Sequence, residues 1–268
     1  TSMINKTVSI MEHLIESDPD VVFLSETWLK SNKNEVTACV KTYGYILLHN
    51  IRQDRQKELG GGVGILLKTG ISYKRLNYKQ YSSFELTVLK LHINDYQHLV
   101  HISIYRVLFV PISTFLLEIV QLLEYLVTLK DSIILAGDIN IHLDTNELNS
   151  NRFKDTLNTF NLVQHINFPT HIQGHTLDMI ATFNDAPVIS NINSDHHDVS
   201  HQSLITFTAN ISLEKRLYKQ ISYRNTKSVD IDKFNDEINE QFSVSSTKSF
   251  AENIDHYNKI LGSTGWEP

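Results

Sequence analysis

The chain runs to 268 residues, 41% of them apolar and 20% charged, enough for a large core in one or two domains. Cys39 is its single cysteine, which excludes an internal disulfide framework and a cysteine-only zinc cluster. Thirty acids against 24 bases leave a formal charge of −6, which argues against a protein that grips nucleic acid through a uniformly basic surface. A metal-dependent nuclease stays open, because clustered carboxylates holding a cation reverse the local field.

The first residues, Thr1-Ser2-Met3-Ile4-Asn5-Lys6, carry no signal-peptide or transit pattern and read as the start of a truncated piece. Apolar positions Ile10, Met11, Leu14 and Ile15 predict a helix over 5–17, stopped by Asp18-Pro19. Val21 to Leu24 then reads as a strand buried on both faces. Similar runs at Tyr45–Leu48, Val63–Leu67, Leu86–Leu91, Leu99–Tyr105, Ile133–Leu135, Leu177–Phe183 and Leu204–Phe207 bring the expected strands to about eight. Helical spacing recurs over 113–129 and 152–160. The greasy stretch from Ile112 to Leu129 is interrupted by Glu118 and Glu124, so no membrane span is expected. Helices and strands do not alternate as in a doubly wound sheet, which points to two sheets packed face to face and flanked by helices. After Ile211 the composition turns polar, and Ile231, Phe234 and Ile238 suit one amphipathic helix in a linker or appendage over 212–268.

Polar residues interrupt the strands at a few places. Ser25-Glu26-Thr27-Trp28-Leu29 puts a carboxylate where a buried strand emerges, suited to Mg²⁺, though a surface glutamate near a helix start has the same letters. In Gly137-Asp138-Ile139-Asn140-Ile141-His142, alternation along an extended segment predicts that Asp138 and Asn140 point the same way, an acceptor beside an amide; the plain alternative is an Asx-rich turn. Asp178 in Thr176-Leu177-Asp178-Met179-Ile180 sits within an apolar run, where a charge needs a partner, either a histidine or a structural hydrogen bond. Histidines arrive later, in a loop holding Ser194-Asp195-His196-His197 and Ser200-His201. Tyr105-Arg106 closes another strand with a phenol and a guanidinium able to contact phosphate. Gly60-Gly61-Gly62-Val63-Gly64 lacks the Lys-Ser/Thr of a phosphate-binding loop and leads into a strand, so close backbone packing is expected there. Lys30, Lys33, Arg52, Arg55, Lys57, Lys74, Arg75, Arg152 and Lys154 are scattered bases, expected as solvated surface more than as phosphate contacts.

These six segments, in this order and spacing, resemble the endonuclease/exonuclease/phosphatase superfamily, and specifically the apurinic/apyrimidinic-endonuclease-like domain of LINE-type (non-LTR) retrotransposons. The resemblance implies an α/β fold, a DNase I-like four-layer α/β sandwich of two mixed β-sheets flanked by helices, over residues 1–211, with 212–268 similar to the linker before a reverse transcriptase. It implies a DNA-nicking endonuclease acting on double-stranded DNA, dependent on Mg²⁺ or Mn²⁺, intracellular and nuclear, and fused in its parent element to a reverse transcriptase that uses the 3′-hydroxyl as primer. By the same resemblance Glu26 is the metal ligand and Tyr105 a phosphate contact. Asp138 with Asn140 aligns water and phosphate, and Asp178 orients the catalytic histidine.

Departures from the family pattern mark the places to inspect. The family has an asparagine just before the segment that here begins at Thr1, and Pro-Pro after Tyr-Arg where this chain has Val107-Leu108. Its final Ser-Asp-His matches in letters at Ser194-Asp195-His196 and in position at Ser200-His201. Both His201 and His196 therefore stand as candidate catalytic histidines, and Asp195 as a second candidate metal ligand. Two other readings remain: a catalytically decayed relic or binding module that keeps the fold, and a zinc hydrolase built on His171 and His175, which lacks the glutamate of the zinc-protease helix.

Overall fold

The computed structural model describes residues 3–29, 34–50, 61–94, 97–185, 188–195, 203–211, 231–233, 235–236 and 249–263. The chain divides into two compact units, 1–214 and 215–268. In the first, α1 (Met3–Ser17), β1 (Val21–Ser25), α2 (Asn34–Thr42), β2 (Tyr45–Asn50) and β3 (Val63–Lys68) are followed by β4 (Tyr73–Arg75), β5 (Phe84–Asn94), β6 (Gln97–Arg106) and α3 (Ile112–Thr128). The unit continues with β7 (Ser132–Asp138), α4 (Leu148–Thr159), β8 (Leu162–Gln164), β9 (Asp178–Phe183), β10 (Val188–Asp195) and β11 (Leu204–Asn210). The described part of the second unit contains α5 (Phe250–Ser263). Phe234 and Ile238, two markers of the expected amphipathic helix, lie outside the described residues.

Local chemistry sets the boundaries. Helix α1 buries Met11 and Leu14, then closes when the Asp18 N–H donates to Leu14 O at 2.9 Å with Asp18 left-handed at φ 41°. Pro111 precedes α3, whose Phe115, Ile119, Leu122, Leu123 and Leu126 form one buried stripe. The expected strands all occur, but β4, β8, β10 and helix α2 were not anticipated, and the helix expected over 152–160 is α4, beginning four residues earlier at Leu148. Ser194 and Asp195, expected in a loop, are the last two residues of β10.

Three hydrogen-bonded sheets form: β1-β3-β2, the β10-β11 ribbon, and the six-stranded β4-β5-β6-β7-β9-β8, in which β6 and β7 run parallel and the other neighbours antiparallel. Strand alternation sorts the core into layers. Val100, Ile102, Ile104, Ile133, Leu135 and Met179 face Phe115, Ile119 and Phe153 of α3 and α4. On the opposite face of the same strands, Leu89 and Leu91 meet Ile65 and Leu67 of β3, while Leu99, Ile134, Ala136 and Ile180 meet Phe23 of β1 with Ile205 and Phe207 of β11. Outside β1-β3-β2, α1 and α2 pack through Met11, Leu14, Val36 and Val40 on Leu47 and Leu66. The order is helices, sheet, sheet, helices: four layers with an apolar core between the sheets. No helix of the described residues is long and apolar enough to cross a membrane.

Candidate active site

At one end of the inter-sheet face, polar side chains are placed in a row by strand register. Tyr105 of β6 is the Cα partner of Asp138 in β7, and Asp138 is the partner of Asp178 in β9. Partners in adjacent strands share a face, and Leu99, Ala136 and Ile180, an even number of positions along the same strands, mark that face as the inter-sheet one. Tyr105 and Asp138 are buried. Gly137 makes the approach of β7 to β6 feasible: its φ is 145°, and a Cβ there would lie 1.9 Å from Ile104 O.

Glu26 reaches the row from the opposite sheet. It follows β1 with left-handed backbone, φ 53°, and Trp28 is left-handed as well at 54°. Such values are costly without a β-carbon-free residue and persist where surroundings enforce them. Here Thr27 N–H donates to Gly62 O at 3.0 Å and Trp28 N–H to Gly61 O at 2.9 Å. A Cβ on Gly62 would come within 2.5 Å of Thr27 Oγ1, so the glycine run is the close-packed bed of the Glu26 turn; Gly60 lies outside the described residues. The result is that the Tyr105 hydroxyl donates to Glu26 Oε1 at 2.5 Å.

Asn140 is not on an extended segment. Strand β7 ends at Asp138, and Asn140 takes a left-handed conformation at φ 50°, so strand alternation does not orient it. Its N–H folds back onto Asp138 Oδ1 at 2.9 Å, the Asx-type turn. Arg106 is likewise not presented to the row. As the next residue of β6 it faces the helices, with its guanidinium over the Phe115 ring and Nη1 donating to Asn140 O at 3.0 Å. Asn140 Nδ2 donates in return to Arg106 O at 3.2 Å. The two residues lock the β7 exit, and burial lowers the Arg106 pKa while the Asp138 charge opposes that shift.

Asp178 opens β9 with both its own N–H and that of Leu177 donating to Thr170 Oγ1, at 3.2 and 3.0 Å. The residue is partly exposed as a whole, but Oδ2 is sealed from solvent and has no hydrogen-bond partner among the described residues. Burial raises its pKa to about 6, moderated by the Thr170 hydroxyl. Thr170 O also accepts the Ser203 N–H at 2.8 Å, which brings the chain just before β11 to the Asp178 end of the row. His196, His197 and His201 lie outside the described residues, as do Lys30, Lys33, Arg52, Arg55 and Lys57. Asp195 is exposed and is the Cα partner of Leu204 in β11.

Glu26 offers a carboxylate oxygen, the donor type that fits a hard cation such as Mg²⁺, which takes one or two carboxylates and keeps its waters. Among the described residues no group of three or more His, Cys, Asp or Glu could hold a metal ion between them. His171 and His175 do not build a zinc site there: His171 Nδ1 accepts the Gln173 N–H, and His175 Nδ1 sits 3.1 Å from Asp144 Oδ2 with its ring stacked on His142. Sequence reasoning overlooked Glu85, which is the Cα partner of Tyr105 across β5 and β6 and accepts the Gly62 N–H at 2.5 Å. It also overlooked Thr170. Glu85 shares the period-two pattern of Thr87 and Leu89, a signal that has meaning only once the β5–β6 register is known. A cleft of about 890 Å³ adjoins Glu85, lined also by Arg75, Tyr78, Tyr81, Val107 and Phe109.

A mixed six-stranded sheet facing an antiparallel three-stranded one, between helical layers and with acids at one end of the inter-sheet face, defines a DNase I-like α/β sandwich. The chain belongs to the Endonuclease/Exonuclease/phosphatase family, whose model matches residues 3–211. Among solved structures it is similar to the endonuclease domain of TRAS1, a telomere-specific non-LTR retrotransposon, with TM-score 0.59 and 15% identity over 76% of this chain and 92% of that one. It is also similar to the catalytic domain of human Nocturnin, with TM-score 0.56 and 15% identity over 76% and 86%. A third likeness is to an AP endonuclease from Archaeoglobus fulgidus, with TM-score 0.53 and 14% identity over 78% and 96%. No curated protein matches the sequence.

Proposed function

We propose that this chain is a divalent-metal-dependent endonuclease that nicks double-stranded DNA and leaves a 3′-hydroxyl, the activity expected of a LINE-type element whose reverse transcriptase would use that end as primer in the nucleus. The observation that carries the reading is the unbroken row Tyr105, Asp138, Asp178 on one face of the sheet, with Glu26 held onto Tyr105 from the other sheet. The likeness to the TRAS1 domain favours DNA as substrate over the other phosphodiesters.

Glu26 would hold the cation, Mg²⁺ or Mn²⁺, with Tyr105 positioning that carboxylate through its hydroxyl and facing the phosphate. When bound, the cation neutralises charge building on the phosphorane and on the leaving 3′ oxygen. Asp138 accepts a hydrogen bond from the attacking water and takes its proton as the water oxygen bonds to phosphorus. Asn140 uses one amide N–H on Arg106 O, and its second is left for a phosphate oxygen. The P–O3′ bond breaks and the leaving 3′ oxygen takes a proton from solvent water, giving a 5′-phosphate and the 3′-hydroxyl. Asp178 orients a histidine that stabilises the phosphate oxygens, and His201 fits this role better than His196. Residue 203, two positions from His201, is bonded to Thr170, whose hydroxyl in turn contacts Asp178, whereas Asp195, next to His196, is exposed at the end of β10.

The test is nicking of supercoiled plasmid in Mg²⁺ or Mn²⁺ by the parent and by Asp138→Ala. Metal-dependent conversion to open circles that vanishes in the variant supports the reading. A folded parent that binds DNA without nicking it in either ion is the decayed relic or binding module, and Asp195 would then have no metal to hold.

A further inference from the structure

Glu85 has no role in the chemistry above, yet it extends the polar row by one strand and is tied to it twice. Across β5 and β6 it is the direct partner of Tyr105. Through Oε2 it accepts the Gly62 N–H at 2.5 Å. From there the contacts close on themselves: Gly62 O holds Thr27 N–H, Gly61 O holds Trp28 N–H, and Glu26, between a strand end and this clamp, meets the Tyr105 hydroxyl. The circuit runs Glu85, Gly62, Thr27, Glu26, Tyr105 and back to Glu85.

The circuit has a physical purpose. Glu26 and Trp28 are both non-glycine residues at φ above 50°, and Gly61 and Gly62 both stand at 85°, so the two segments have no regular secondary structure to fix them. Left-handed conformations at non-glycine residues relax unless neighbouring contacts impose them. The Glu85 side chain is long enough to carry its Oε2 from the strand to the Gly62 N–H, so the bond depends on the reach of that side chain. It anchors the glycine segment to β5, which is paired with β6 in the six-stranded sheet from Phe84 to Asn94, and so ties the Glu26 turn to that sheet.

We propose that Glu85 is a positioning residue for the Glu26 metal site: by holding Gly62 it fixes the backbone that aims the Glu26 carboxylate. This rests on the reading of Glu26 as the metal ligand. It assigns to Glu85 a hydrogen-bonding reach, not a charge and not a coordination bond.

The experiment is Mn²⁺ binding to the full chain without DNA, followed by isothermal titration calorimetry, with far-ultraviolet circular dichroism and melting to confirm the fold of each variant. Glu85→Ala is expected to weaken Mn²⁺ binding about tenfold to a hundredfold, the usual cost of losing a group that orients a ligand. Glu85→Gln keeps the reach and an acceptor oxygen, and recovers most of that loss. Glu85→Asp keeps the charge and loses a methylene of reach, and behaves like Glu85→Ala. If Glu85→Ala fails to fold, the Gln and Asp variants decide alone. Strong binding by Glu85→Asp with weak binding by Glu85→Gln overturns the proposal and makes position 85 a charge or a ligand. Parent-like binding by all three folded variants overturns it too. A Glu26→Gln protein that binds Mn²⁺ as the parent does locates the failure in the reading of Glu26 instead.

Discussion

Asp138 and Asp178 face each other as Cα partners in the antiparallel β7–β9 pair, two carboxylates side by side at a mostly apolar interface. Like charges directly opposite in a sheet are destabilising, and burial adds to the penalty, as the raised pKa of Asp178 shows. Packing alone gives no reason for this pair. Asp178→Asn is therefore expected to stabilise the protein at pH 8 by about 1 kcal/mol, a rise in melting temperature of about 2–4 °C, while plasmid nicking falls at least about a hundredfold. A variant that melts lower than the parent at that pH would show that the carboxylate is structurally required.

The identity of the histidine can be read from pH. With burial dominant, Asp178 has a folded pKa of about 6, above the unfolded value of about 3.9. A group raised in this direction contributes stability that is full below about 3.9 and is lost as pH climbs through about 6. A histidine N–H on Oδ2 brings the folded pKa down and flattens that loss. Melting temperature measured from pH 4 to pH 8 should accordingly fall more steeply in His201→Ala than in the parent, with His196→Ala following the parent. The reverse assignment follows if His196→Ala carries the steeper fall.

How much of this was legible beforehand follows from the kind of signal each residue carries. Val21–Leu24 and Ile133–Leu135 are β-branched apolar runs between turn residues, a pattern that marks both as strands without knowledge of any partner; Ile133–Leu135 is buried on both faces as expected, whereas Val21–Ser25 is half-buried throughout. Strand β10 was missed because Val188–Asp195 alternates apolar residues with Ser and Asn, letters that also spell a loop. The four layers and the Glu26 and Asp138 strand exits were visible from strand ends and from the family resemblance, whereas Asp178, expected inside an apolar run, is the first residue of β9. The direction of Asn140 was not, because one left-handed residue turns an alternating pattern aside, and asparagine tolerates that conformation with little local signature. Glu85 and Arg106 show the same limit from the other side: each looks like an ordinary polar residue at a strand end until register and facing are known.

Tyr105→Phe removes the oxygen between the two sheets and leaves the ring in its buried place. A hydrogen bond to a charged group contributes about 1.5–3 kcal/mol, so a loss of about tenfold to a hundredfold in nicking rate is expected, with circular dichroism unchanged. Raising the Mn²⁺ concentration should restore part of that rate, since the Glu26 carboxylate remains present but less well held. A rate equal to the parent's at all metal concentrations would mean that the Tyr105 hydroxyl neither holds Glu26 nor meets the phosphate.

Gly137 and Gly44 separate the cost of an unusual backbone from the cost of a collision. Gly44 has φ 81° and nothing within 4 Å of the position a Cβ would take. Gly44→Ala therefore meets only the left-handed penalty, about 1–2 kcal/mol, and should melt a few degrees lower with its nicking activity intact. Gly137 has φ 145°, and its Cβ would lie 1.9 Å from Ile104 O and 2.9 Å from Ile104 C, backbone atoms of the adjoining strand that cannot rotate away. Relief requires β6 and β7 to part just where Tyr105 and Asp138 stand abreast. Gly137→Ala is expected to lose more than about 4 kcal/mol, in the range reserved for strain at special backbone positions, and any folded fraction should not nick DNA because the row is broken at its centre. Thermal melting and plasmid nicking of the two variants side by side check both claims. A Gly137→Ala protein that melts as high as Gly44→Ala would show that β6 and β7 do not approach as closely as the row requires.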